Sequence, residues 1–286
     1  MQRIQPTLRA CSQASSFRRR LLHSVPQLRL ATSADGQEGF EPLYSASGYK
    51  QAWTDYQAHV VENLNRLSVD TDYESMPLIN VIAQTSRKPE LAALHNYAAQ
   101  AFSNHFYFDA LNVAQLKQRD NQPSDQHTIP KAMRLMLQAS GMTAEGLGEH
   151  FAATANAMIG SGWIWLVLDE QDRLRVLATY NAGTPFDLKN LRNVDPNTGL
   201  APSSQASANK TAEESKYSLY TNVKRSLDLV PVACLSVWEH SYLADYGVAG
   251  KQAYVEQWIK TLDWKTVTDR MTEAQRSGSG ATAHLG

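Results

Sequence analysis

Cysteine is almost missing from this sequence: among 286 residues only Cys11 and Cys234 carry a thiol. Because Cys11 falls in a leader-like segment, neither a disulfide framework nor a zinc ribbon is available. Cys234, in the apolar run Val232-Ala233-Cys234-Leu235, reads as a small core residue. No stretch approaches the about 20 consecutive apolar residues that a membrane-spanning helix needs, so no membrane partner is expected. The first 34 residues have no Asp, Glu or Lys, yet hold six arginines, Arg3, Arg9, Arg18, Arg19, Arg20 and Arg29. Such an acid-free, Arg- and Ser-containing start reads as a mitochondrial transit peptide over 1–34, cut between Leu21 and Ala34. A basic arm for nucleic acid is the other reading. The remaining chain keeps 21 of the 27 basic residues and all 28 acidic ones, a net charge of −7. That balance argues against binding dominated by phosphates.

The body divides by pattern. Trp53, Tyr56, Val60, Leu64 and Leu67 follow three-to-four spacing and predict a helix near Tyr49–Leu67. A second helix is expected from Pro89 to about Val113, with Leu91, Leu94, Ala98, Ala101, Phe102, His105 and Phe108 on one stripe. Two antiparallel helices joined by a loop make a helical-hairpin domain over 35–116. The polar stretch 117–130 is a linker, and a further helical region covers about Lys131–Ile159. The pattern then turns to β: Trp163–Leu168 and Leu174–Tyr180 form a hairpin about Asp169-Glu170-Gln171-Asp172-Arg173. Residues 187–222 are polar and aperiodic, an inserted surface loop. A third strand, about Leu229–Val237, leads into helices near Tyr242, Lys251–Leu262 and Trp264–Arg276, which closes an α/β domain over 131–276. The small residues of 277–286 form a tail.

Four short stretches carry a resemblance. Gly160-Ser161-Gly162-Trp163-Ile164-Trp165-Leu166 is similar to the "GSGWxWL" strand entry of iron/manganese superoxide dismutases. Val237-Trp238-Glu239-His240-Ser241-Tyr242 resembles their "DVWEHAY" segment, and Asp263-Trp264-Lys265-Thr266-Val267-Thr268-Asp269-Arg270 their "NWxxVxxR". Asn104-His105-Phe106-Tyr107-Phe108 looks like their "NHxxFW" helix. Order and spacing agree across roughly Leu43–Arg276 outside the long loop. The resemblance implies an α+β fold, an N-terminal antiparallel helical hairpin followed by an α/β domain with a three-stranded antiparallel sheet. It also implies a metal site between the domains, held by one His from each hairpin helix plus an Asp and a His of the WEH segment.

Two of those four ligands are missing here. His105 and His240 match family histidines, but Ser236 stands in place of the Asp. On the first helix, Val61-Glu62-Asn63-Leu64-Asn65 resembles the family's "VNNLN"; counting back puts the ligand position on Ala52, the gateway Tyr on Val60 and a structural His on Tyr56. No His stands anywhere from Tyr44 to Ala58. His59 is seven residues past Ala52, about 10 Å further along the axis, too far to substitute. The glutamine that bonds metal-bound solvent in the family falls on Ala182, and Gln100 lies one residue from its iron-type place. A methyl group and a neutral hydroxyl are poor replacements for an imidazole and a carboxylate, so no metal, no cofactor and no catalytic residue is expected. His105 and His240 then read as neutral core histidines at the old seam or as a weak zinc site, too sparse to be structural. Trp163, Trp165 and Trp238 read as core packing.

In the family, positions matching Glu239, His240 and Tyr242 make cross-subunit hydrogen bonds; persistence as buried polar pairs within one chain is the competing reading. Tyr56 replaces a His that pairs with the other subunit, so a related but different chain stands beside a second copy as partner. The chain is thus similar to the non-catalytic superoxide-dismutase-like proteins of fungal mitochondrial small ribosomal subunits. That likeness implies a structural role in the matrix, with small-subunit ribosomal proteins and a superoxide-dismutase-like paralogue as partners and minor contact to ribosomal RNA. A true dismutase with an unusual ligand set is the alternative; a free pseudoenzyme that regulates a genuine dismutase through mixed dimers is a third reading.

Overall fold

The computed structural model describes residues 23–28, 40–112, 129–186 and 229–279. Most of the expected transit peptide, the linker residues 117–128, the loop 187–222 and the tail beyond 279 lie outside the described residues.

The first helical rod is built of three pieces: α1 Ala46–Tyr49, a π-helical segment Lys50–Asp55 and α2 Tyr56–Ser68. Ser45 caps its start by accepting from the Gly48 amide at 3.0 Å. After α3 Leu78–Thr85 the chain turns through Pro89–Leu91 into α4 Ala92–Phe108. Contacts across the two rods run in opposite directions, from His59 beside Tyr97 through Tyr56 on Gln100 to Trp53 beside Phe108. They form an antiparallel hairpin. α3 was not expected from the sequence, because its eight residues are too few to show a clear period; Ile79, Val81 and Ile82 are nonetheless buried.

α4 stops five residues before the predicted Val113. The reason is tertiary. Asn112 donates to the Thr261 carbonyl and Asp263 to the Ala110 carbonyl, both at 2.8 Å, so these backbone groups pair across the fold and not along a helix. The region expected as one helix over Lys131–Ile159 is two, α5 Lys131–Ala139 and α6 Ala144–Ala157. Gly141, at φ 74°, breaks them apart. The break leaves Ser140 free to accept the Leu174 amide at 2.7 Å, and Thr143 caps α6 through the Gly146 amide.

The sheet has the order β2-β1-β3, wholly antiparallel, from β1 Gly162–Asp169, β2 Leu174–Tyr180 and β3 Leu229–Ser236. Every residue of the central β1 is buried, which is why it reads as a continuous apolar run. Gly162 enters β1 so close to β2 that a β-carbon would overlap the Thr179 carbonyl oxygen. Asp169 closes the hairpin, accepting from the Gln171 and Arg173 amides at 3.0 and 2.9 Å and from Arg175 at 2.6 Å; those donors hold its carboxyl below the usual range against the opposing effect of burial. Helices α7 Glu239–Tyr246, α8 Lys251–Thr261 and α9 Trp264–Ser279 complete the domain.

Two polar devices bind hairpin to sheet domain. The hydroxyls of Tyr44, Tyr107 and Tyr254 lie 2.9, 3.1 and 2.9 Å apart, a closed ring in which each donates once and accepts once; burial raises all three phenol pKa values. Arg270 of α9 is the second. The β3 register slips at Pro231, which has no N–H, so Val232 bulges out of the ladder. The Val232 carbonyl accepts from Arg270 at 3.3 Å, as does the Phe106 carbonyl; Asp109 pairs with the same guanidinium at 3.0 Å, and the Phe106 ring lies 3.8 Å beneath it.

Arg270→Leu should therefore lower stability by about 3–5 kcal/mol in urea unfolding, since it takes the paired guanidinium from the mostly buried Asp109 carboxylate. Lys265→Leu, which removes the solvent-exposed pair with Asp269, should change little.

Candidate functional site

Ala52 lies inside the π-helical segment and is fully buried. Its carbonyl accepts from the Asn104 amide group at 3.3 Å; the same NH₂ also donates to Gln57 Oε1 at 3.0 Å, and Gln57 donates onward to the Ala101 carbonyl at 3.0 Å. Asn104 of α4 thus ties the Ala52 backbone to Gln57. His105, the next residue, points about 100° further round the helix and sets its ring 6.2 Å from that of Trp53. From Ala98 to Phe108 every residue of α4 but the half-buried His105 is buried, whereas Ala92, Ala93 and Asn96 of its first turns are exposed. His59, expected on the face of Ala52, is exposed and bonded to Asn63, because the wider π turn rotates everything after it relative to a regular helix.

Across the seam, Ser236 ends β3 fully buried, and its hydroxyl shares a 2.7 Å hydrogen bond with Ser241. Trp163 stands opposite Ser236 in the ladder with its indole Nε1 buried and unbonded. His240, in the first turn of α7, stacks on Tyr56 with ring centroids 3.9 Å apart and planes at 29°. Its Nε2 is buried without a hydrogen-bond partner, and burial pulls its pKa down to about 4 against the opposing Glu239 charge. Tyr56 donates to Gln100 at 3.0 Å, and Gln100 donates to the Asn181 carbonyl at 3.2 Å. Glu239 accepts from the Ser161 hydroxyl, and Tyr242 stacks on Tyr254 at 5.6 Å. Gln57, Gln100, Asn104 and Ser161, which organise this seam, were not singled out as site residues; only the Gln100 position carried a signal, through its nearness to a family glutamine.

The donors present do not fit iron or manganese. Ala52 offers no ligating atom, Ser236 a neutral hydroxyl already engaged by Ser241, and Asn104 a neutral amide oxygen. Among the described residues, no group of three or more His, Cys, Asp or Glu side chains is placed to hold a metal ion. Glu239, the neighbour of His240, turns its carboxylate to the Ser161 hydroxyl. Cys234 is also no candidate: its buried thiol donates to the Ser103 carbonyl at 3.8 Å, and burial raises its pKa.

Residues 130–195 and 203–270 match the iron/manganese superoxide dismutase C-terminal domain family. Small ribosomal subunit protein mS43 of Schizosaccharomyces pombe is 28% identical over 253 residues, covering 88% of this chain and 85% of that protein. Small ribosomal subunit protein mS42 of the same organism is 26% identical over 192 residues, covering 67% and 72%. An iron superoxide dismutase of Plasmodium falciparum is 22% identical over 253 residues, covering 88% and 98%.

The buried imidazole gives the seam a pH dependence. An unfolded His titrates near 6.5, whereas His240 in the fold stays neutral to about pH 4. Between those values the unfolded chain binds the extra proton, so stability falls as pH drops from about 6.5 toward 4. Thermal unfolding followed at pH 7 and pH 4.5 should show a smaller acid loss for His240→Phe than for the unaltered protein.

Proposed function

The chain is a relative of the iron/manganese superoxide dismutases, whose C-terminal domain it carries, and from that premise we propose that it is a structural component of the mitochondrial small ribosomal subunit. It acts there without catalysis and holds no metal. The observation that carries this reading is the similarity to a small ribosomal subunit protein along 88% of the chain, with a seam whose donor atoms bond to one another. Ala52, His105, Ser236 and His240 are vestigial ligand positions. The role of the fold is to present a surface.

The protein pairs with a related superoxide-dismutase-like chain through Tyr56, Glu239, His240 and Tyr242. Two features support this. Similarity extends to both mS43 and mS42, two related ribosomal proteins. In addition, the Ser161–Glu239 contact is flanked by exposed apolar groups: Ile159 is 88% and Tyr180 55% solvent-accessible, and Asn181, next to Tyr180, bonds the Ser161 carbonyl at 3.0 Å. Apolar groups around a shared polar pair suit a protein interface better than open solvent. The net charge of −7 on residues beyond 34 favours placement by protein contacts, with ribosomal RNA touched only marginally. The basic leader directs the chain to the matrix.

In a sucrose gradient of mitochondrial lysate, the tagged protein should co-sediment with the small ribosomal subunit and bring a related chain with it. The purified protein should contain iron and manganese far below one per chain and leave superoxide removal at the uncatalysed rate. Near-stoichiometric metal together with dismutase activity would establish the enzyme reading, and sedimentation apart from the subunit would sink the ribosomal one.

A further inference from the structure

His23–Leu28 lies against the hairpin outside any helix or strand, although it falls within the stretch whose composition reads as a leader. Asn65 of α2 grips it by both backbone groups of one residue: the His23 amide donates to Asn65 Oδ1 at 2.9 Å, and Asn65 Nδ2 donates to the His23 carbonyl at 2.9 Å. This is the pairing a neighbouring β-strand would make, supplied by a side-chain amide. The His23 ring adds a second hold through Nε2 and the Tyr73 carbonyl at 3.2 Å. Five residues on, Leu28 packs against the hydrophobic core. The strap is thus fixed at both ends to elements of the mature fold, with Val25 between them left 42% exposed.

Charge marks the same boundary from the sequence side. Five of the six leader arginines precede Leu21, three of them as Arg18-Arg19-Arg20, and none lies within His23–Leu28. A targeting segment must be basic and available to the import machinery; a segment clamped by an amide and an apolar anchor serves the folded state. We propose that His23–Leu28 is retained in the mature protein as a strap over α2, and that proteolytic removal of the leader ends upstream of His23. A cut that left His23 as the first residue would preserve both contacts with Asn65, since the new amino group still donates. A cut anywhere after His23 would discard them. The inference rests on the transit-peptide reading for the existence of the cut, and on the contacts of Asn65, Tyr73 and the core for its limit.

Two measurements test it. Mass spectrometry of the N-terminus of the protein purified from mitochondria should find a first residue no later than His23. A start anywhere from Ser24 to Ala34 overturns the proposal, whereas an uncut chain refutes the leader and leaves the strap to the second measurement. In that one, hydrogen exchange of the full chain should show slowed amides at His23 and its neighbours. Asn65→Ala should speed exchange there about tenfold, the effect of losing two hydrogen bonds, and leave protection of β1 unchanged. Fast exchange in the unaltered protein, or no response to Asn65→Ala, overturns the strap.

Discussion

The guanidinium of Arg270 is the point where the two halves of this fold are held to each other. It is 2% exposed, and its donors reach the end of α4, the acidic residue after it and the bulged strand β3. Each acceptor exists for a local reason. α4 ends at Phe108, so the Phe106 carbonyl lies in its last turn, where the guanidinium reaches it. Pro231 forces the bulge that frees the Val232 carbonyl. A single planar cation collects these oxygens together with the Asp109 charge, and Arg suits the task because its fork is rigid and its face stacks on Phe106. The relative placement of hairpin and sheet, and hence of the seam between them, follows from this contact and from the tyrosine ring.

The seam shows how a polar centre can change use without its fold collapsing. The Asn104 amide bonds the Ala52 backbone and Gln57, two serines bond each other, and Tyr56 fills space against His240. The exchange is incomplete. Asn104 Oδ1, Ser103 Oγ, Trp163 Nε1 and His240 Nε2 remain buried without partners. Each such atom costs stability, which the dense aromatic packing around Phe106, Trp165 and Phe108 offsets.

Much of this architecture was legible in the residues. Alternating and continuous apolar runs marked β1 and β2, Asp169 and Asp172 marked the turn between them, and the four motif stretches gave the order of the rest. What escaped was decided by contacts between distant parts of the chain. The end of α4 is set by Thr261 and Asp263, the break at Gly141 by the need of Leu174 for an acceptor, and the burial of α3 by α4. At the site, the identities at Ala52 and Ser236 could be read directly. The bond from Asn104 to the Ala52 carbonyl could not, because the π turn that holds Ala52 upsets any estimate of face made by counting.

The ring formed by Tyr44, Tyr107 and Tyr254 has a consequence of its own. Three hydroxyls in a cycle can pass their protons clockwise or anticlockwise, and both senses satisfy every oxygen equally. The heavy atoms need not move between them. This junction of loop, α4 and α8 is therefore stiff in its carbon frame yet degenerate in its protons. The degeneracy belongs to the set: replacing any one tyrosine by phenylalanine opens the cycle, strands one neighbour, and makes the other two worth less than they were, so the three positions are bound to change together or stay as they are.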